Sequence, residues 1–249
     1  MPPANPPTRT HRASSAIFRI LPLGDTALTI EFGNEIDANI NSRVVAFATT
    51  VVDQGWRGIH DVVPTYRSVT VHFDPLQWNS ATLAKRLKTL PRRDPGQAEA
   101  QGILHEIPVL YGGEWGPDLE EVASFASLEP AEAIALHASI PYRVYMLGFS
   151  PGFPYLGLVP ERLAIPRRST PRTMVPAGSV GIADRQTGIY PTATPGGWRL
   201  IGRTPISLYR KTRTNPFLLK PGDRVRFKPI VRDEFDQLSR ETETWRPLI

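Results

Sequence analysis

Four arginines stand in a stretch crowded with proline and glycine. Arg167, Arg168 and Arg172 flank Pro166 and Pro171, and Arg203 lies within Ile201-Gly202-Arg203-Thr204-Pro205. A guanidinium is a planar fork of donors that grips a carboxylate or phosphate at two points. Mounting it between prolines reduces the entropy lost when a ligand is held. The bland reading is a row of surface charges. Gly196-Gly197, with Arg199 and Arg203 nearby, would let backbone N–H groups approach an anion, or would simply form a turn. His137 ends a helical stretch just ahead of this segment. It is a candidate acid–base or substrate hydrogen-bonding group, although a cation near a helix C-terminus is also stabilising by itself.

Other chemistries are argued against by residue type. Gly148-Phe149-Ser150-Pro151-Gly152 matches the G-x-S-x-G pattern of hydrolase elbows. An elbow needs the N–H after its serine as an oxyanion donor, and Pro151 has none. No histidine follows position 137 to complete a triad in that fold's order, so Ser150 reads as a turn residue. There is no G-x-x-x-x-G-K-[ST], and none of the five lysines follows a glycine. Cysteine is absent, and the five histidines (11, 60, 72, 105 and 137) lack metal-ligand spacing. A metal centre is not expected. The net charge of +5 is dispersed arginine without interleaved aromatics, which argues for a solvated surface rather than nucleic-acid binding. No apolar run is long enough to span a bilayer, and no signal-peptide core follows the N-terminus, so a cytoplasmic protein without membrane partners is expected.

These residues must be positioned by a fold of two unlike halves within 249 residues. Residues 1–15, rich in Pro, Thr, Arg and Ala, are expected to be a disordered tail. From 16 to 91 the pattern predicts a small α+β domain of order ββαββα. Strands are expected at Ile17–Leu21, Ala27–Phe32, Ile59–Val63 and Ser68–Phe73, the last with Val69, Val71 and Phe73 on one face. A helix over Ile36–Val52 carries Ile36, Ile40, Val44, Phe47 and Val51 as an apolar stripe. A second, Thr82–Leu90, is capped by Asn79 or Ser80. Arg92–Gly102 reads as a linker. Residues 103–249 form the second domain. It opens with a strand at Ile103–Leu110 and two helices, the first capped by Asp118 with Glu121, the second carrying Pro130 in its first turn and running to about Ser139. Residues 141–205 hold 10 of the 26 prolines and 9 of the 19 glycines. That predicts short strands joined by tight turns, a β-barrel-like domain.

Read together, Tyr142–Gly157 (YRVYMLGFSPGFPYLG) and Pro166–Pro205 (PRRSTPRTMVPAGSVGIADRQTGIYPTATPGGWRLIGRTP) closely resemble the KipI / allophanate hydrolase subunit 1 family. Tyr111-Gly112-Gly113-Glu114, Gly116-Pro117-Asp118-Leu119 and Leu136-His137 belong to the same resemblance, which spans roughly Ile17 to Pro229. The chain departs from the family pattern at Ala183-Asp184-Arg185, and at Glu129 where a serine is usual.

The resemblance implies an α+β N-terminal domain followed by a mainly-β, cyclophilin-like barrel. It implies a paired C-type subunit (allophanate hydrolase subunit 2-like) and a third subunit that together open 5-oxoproline to glutamate at the expense of ATP. ATP would enter as co-substrate, with magnesium as its companion and its binding shared with a partner. Phosphorylating the lactam oxygen would make the ring carbon electrophilic. Such a site needs donors for the substrate carboxylate and cations for developing phosphate charge. His137 and Arg172 are the candidate catalytic residues. Tyr145, Arg168, Gln186, Tyr190 and Arg203 are the candidate substrate contacts, and Gly196 and Gly197 the candidate phosphate contacts. The family also implies two alternatives: an allophanate hydrolase or urea-carboxylase-type carboxyltransferase subunit, and a KipI-like inhibitor of a sensor histidine kinase.

Overall fold

The computed structural model describes residues 18–91 and 102–241. The expected tail and nearly all of the expected linker therefore lie outside the described residues. The first segment is a four-stranded antiparallel sheet in the order β1-β2-β4-β3, from β1 (Arg19–Pro22), β2 (Ala27–Glu31), β3 (Ile59–Pro64) and β4 (Ser68–Phe73). Strand β4 alternates as its sequence requires, with Val69, Val71 and Phe73 buried. Helices α1 (Ala38–Asp53) and α2 (Ser80–Thr89) close an apolar cluster against it that includes Leu28, Ile30, Phe47 and Leu83.

The helix starts follow from caps. Asp37 accepts the N–H groups of Asn39 and Ile40, so α1 begins two residues after the expected Ile36. Asn79 caps α2 in the same way. Along α1 the apolar stripe Val44, Phe47 and Val51 is buried as the spacing requires. Asn41, Ser42 and Thr50 are buried too, so this helix is covered on a polar side that periodicity does not reveal.

The second segment is a closed seven-stranded barrel in the order β10-β7-β6-β13-β5-β12-β9. It is built from β5 (Leu104–Tyr111), β6 (Tyr142–Leu147), β7 (Pro154–Gly157), β9 (Ser179–Ala183), β10 (Gln186–Ile189), β12 (Arg199–Arg203) and β13 (Arg224–Pro229). Only the β5–β13 pairing is parallel. Strands β8 (Arg172–Val175) and β11 (Thr194–Gly196) form a separate ribbon. Helices α3 (Leu119–Phe125) and α4 (Pro130–Ala138) pack outside the barrel, and α5 (Arg232–Glu241) lies against β5. The proline- and glycine-rich region thus becomes short strands, as its turn chemistry requires. Alternating inward residues such as Val144, Leu156, Val180, Ile182 and Phe227 fill the interior.

Asn41 stitches the two parts together. Its amide nitrogen donates to Tyr145 O on β6 at 3.0 Å and to Thr65 O at 3.0 Å, with Tyr66 O at 3.3 Å. Its oxygen accepts Arg143 Nε at 2.7 Å. One fully buried amide therefore sets the β3–β4 turn against β6.

Candidate functional site

The Gly116-Pro117-Asp118 turn is drawn tightly against β12, since a Cβ on Gly116 would come within 2.0 Å of Ile201 O. This places Asp118 before α3, but its carboxylate makes no cap, contrary to the capping expected. One oxygen accepts Arg172 Nη2 at 2.7 Å and Arg168 Nη1 at 3.1 Å, and the other accepts Leu200 N at 2.6 Å. The longer reach wins because two cations beside a buried carboxylate outweigh one exposed helix end. Two guanidiniums share one carboxylate, so the cluster carries a net positive charge, and Arg168 Nε and Arg172 Nη1 are buried without partners. The two arginines are thus brought together as expected, with part of their donor capacity already committed.

His137 lies elsewhere. It is wholly buried in the barrel, stacked on Phe227 at 4.6 Å between ring centroids. Thr187 Oγ1 donates to Gly181 O, which leaves it to accept from His137 Nε2 at 3.0 Å. Tyr111 Oη then donates to Nδ1 at 2.9 Å. Desolvation lowers the imidazole pKa to about 3, so the ring is neutral. Burial and two occupied nitrogens suit a packing residue that tethers α4, rather than the acid–base role expected from its position.

The other expected contacts gather where the first sheet meets the barrel. Tyr66, in the turn between β3 and β4, packs on Tyr145 at 5.4 Å and on Tyr155 at 6.0 Å. Gln186, at the start of β10, faces the Tyr66 hydroxyl without closing a hydrogen bond to it, and that hydroxyl is buried with no partner. Tyr190 packs against Phe153, which touches Tyr155 and Trp198. Burial pushes the phenol pKa of Tyr66, Tyr145, Tyr155 and Tyr190 upward, so all four remain neutral donors. Arg167 lies within electrostatic reach of Tyr66, Tyr155 and Tyr190, and Arg172 also reaches Tyr190. Arg167, Tyr66 and Tyr155 are not among the substrate contacts expected from sequence. For Arg167 its place beside two paired arginines is the available signal, whereas Tyr66 has none.

Arg203 does not join this group. It ends β12, about 13 Å along the strand from Arg199 by strand rise. There its Nε donates to Ala177 O at 2.7 Å and its guanidinium covers Trp115. The glycine pair also differs from expectation. Gly196 pairs with Arg172 across the ribbon, and a Cβ there would meet Tyr190 Oη at 2.5 Å. Glycine is needed for that packing. Gly197 O accepts Arg168 N. Neither glycine has the positive φ that builds an anion-binding nest, so the pair does not fit a phosphate cradle. Ser150 is a turn residue as expected, following Phe149 at φ 61°. Its loop borders a cleft of about 550 Å³ against Asp61, Val62, Val63 and Pro64, which no arginine lines. Among the described residues, no three His, Asp or Glu side chains converge as metal ligands, and no helix is long and apolar enough to cross a membrane.

Comparison with known proteins accounts for this architecture. A Bacillus subtilis (strain 168) protein named as a subunit of 5-oxoprolinase is 42% identical over 239 residues, covering 90% of this chain and 98% of that protein. The solved structure of TTHA0988 superposes with a TM-score of 0.74 at 41% identity, covering 82% of this chain and 40% of that one. This chain therefore spans less than half the length of that protein. The Kluyveromyces lactis urea carboxylase structure aligns with a TM-score of 0.72 over 91% of this chain and 23% of its own, at 22% identity, which shows a shared fold. Residues 18–219 match the carboxyltransferase domain, subdomain C and D, and the chain belongs to that family.

Proposed function

We propose that this chain is one subunit of an ATP-dependent 5-oxoprolinase, working with a C-type paired subunit and a third subunit to open the lactam of 5-oxoproline to glutamate. The observation that carries the reading is the 42% identity extending over 98% of a protein named as a 5-oxoprolinase subunit. In this reading residues 18–91 and 102–241 act as two domains, the second of the cyclophilin-like type, and the chain works in the cytoplasm. Opening a stable amide needs neutral donors for the amide and a cation for the carboxylate. The junction of sheet and barrel offers both, with Tyr155 and Gln186 for the amide and Arg167 for the carboxylate. Arg168 and Arg172 fix the ribbon and add positive potential behind it. ATP serves as co-substrate with its magnesium. Because Gly196 and Gly197 do not form a cradle, this reading assigns the phosphates to the partner subunits.

The test is 5-oxoproline-dependent ATP hydrolysis by the three co-purified subunits. Activity that disappears when this chain is omitted and returns when it is added back is the expected result. A well-assembled complex with no such activity would remove the reading. The shared fold with urea carboxylase supports a second one, a carboxyltransferase subunit acting on a ureide, and the same complex assayed with urea or allophanate would reveal it.

A further inference from the structure

We propose that Arg167 and Tyr66 together form the subsite that receives the substrate carboxylate. This inference rests on the function proposed above and names a part of its site. Arg167 is exposed and, among the described residues, has no hydrogen-bond or ion-pair partner. Its backbone is nevertheless held on both sides. Pro166 O accepts Arg199 Nε at 3.3 Å, and Arg168 N donates to Gly197 O at 2.9 Å. A free guanidinium on a fixed backbone is pre-organised for a two-point anion contact.

Tyr66 supplies the second observation. A buried hydroxyl is normally hydrogen-bonded, and leaving it without a partner is unfavourable. A role confined to packing on Tyr145 and Tyr155 would be served by phenylalanine. Asn41 holds the turn carrying Tyr66 onto β6, so the unsatisfied hydroxyl is placed rather than stray. Arg168 and Arg172 are poorer candidates for first contact. Asp118 already takes a donor from each. Ligand entry draws on the rotamer freedom of the exposed Arg167 side chain. The carboxylate takes the guanidinium fork and the Tyr66 O–H.

The experiment uses the assembled three-subunit complex, with 5-oxoproline as substrate and 2-pyrrolidinone, the same lactam without its carboxylate, as competing ligand. Arg167→Gln is expected to raise KM for 5-oxoproline roughly ten- to a hundredfold with an unchanged melting temperature. Arg167→Lys should recover part of the loss. Arg167→Gln should also reduce the preference for 5-oxoproline over 2-pyrrolidinone, a change that a structural role would not produce. Tyr66→Phe should raise KM while leaving the melting temperature equal or higher. Arg57→Gln, an exposed arginine on the first segment, controls for lost charge. An active wild-type complex whose KM and ligand preference are the same in Arg167→Gln as in Arg57→Gln, and whose KM is unaffected by Tyr66→Phe, overturns the subsite alone. A wild-type complex inactive with 5-oxoproline overturns the functional reading, and the subsite falls with it.

Discussion

Arg168 gives Nη1 to Asp118 and its backbone N–H to Gly197, while Arg167, one residue earlier, has no partner among the described residues and faces solvent. The same side chain in adjacent positions does two different jobs. Around Asp118, one carboxylate ties two guanidiniums and the Leu200 N–H together and holds the ribbon, α3 and β12 in register. Around Arg167, charge is left over. The contrast teaches that an arginine-rich motif is not a uniform ligand site. A guanidinium beside a buried carboxylate is tied to the fold through part of its donor set, and the one without a carboxylate keeps all its donors for something else.

The sharpest way to break this comparison is at Asp118. Asp118→Ala leaves two guanidiniums facing each other with no counter-charge, and should cost roughly 3–5 kcal/mol in denaturant unfolding. A loss below about 1 kcal/mol would mean the cluster does not organise the ribbon. Asn41→Leu should follow at about 2–4 kcal/mol, because Arg143 Nε and the carbonyls of Thr65 and Tyr145 lose a buried partner. It should also raise KM by releasing Tyr66. Gly196→Ala comes next, at about 1–3 kcal/mol through overpacking against the Tyr190 hydroxyl. Adding Tyr190→Phe should recover part of that loss, and a purely additive double variant would show that the two do not meet. Arg167→Gln marks the other end of the series, with an expected effect on stability within about 0.5 kcal/mol.

His137 offers a test by pH. Its folded pKa is depressed to about 3 from 6.5. Between those values the unfolded chain binds a proton that the folded chain refuses. Stability contributed by the neutral ring is therefore complete above about pH 6.5 and is lost as pH falls toward 3, by about 1.4 kcal/mol per pH unit. His137→Gln should flatten the acid side of the stability profile by that slope. Equal slopes in the two proteins would mean that the ring is reachable by solvent protons.

Most of the elements are legible in the sequence because they depend on local chemistry. Val69, Val71 and Phe73 announce β4 by alternation, and Asn79 announces the start of α2. The crowding of proline and glycine after Pro141 announces short strands. Helix α5 carries only a short signal, Phe235 and Leu238 three residues apart on one face of an otherwise polar ten-residue helix. Asp118 looks like a cap in the sequence because its partners, Arg168 and Arg172, approach it only through the closed barrel.

The sequence by itself determined the two unlike halves, the family, and the importance of the arginine-bearing turns, because periodicity, turn residues and long motifs are properties of neighbouring residues. Only the tertiary structure decided which arginine is free, that His137 is enclosed, and that Tyr66 of the first sheet meets Tyr145 and Tyr155 of the barrel. Pairing and burial depend on residues distant in the chain. The physical reason is that a charge or hydroxyl acquires its role from what it is left facing, and that is settled when the barrel closes and Asn41 docks the first sheet against it.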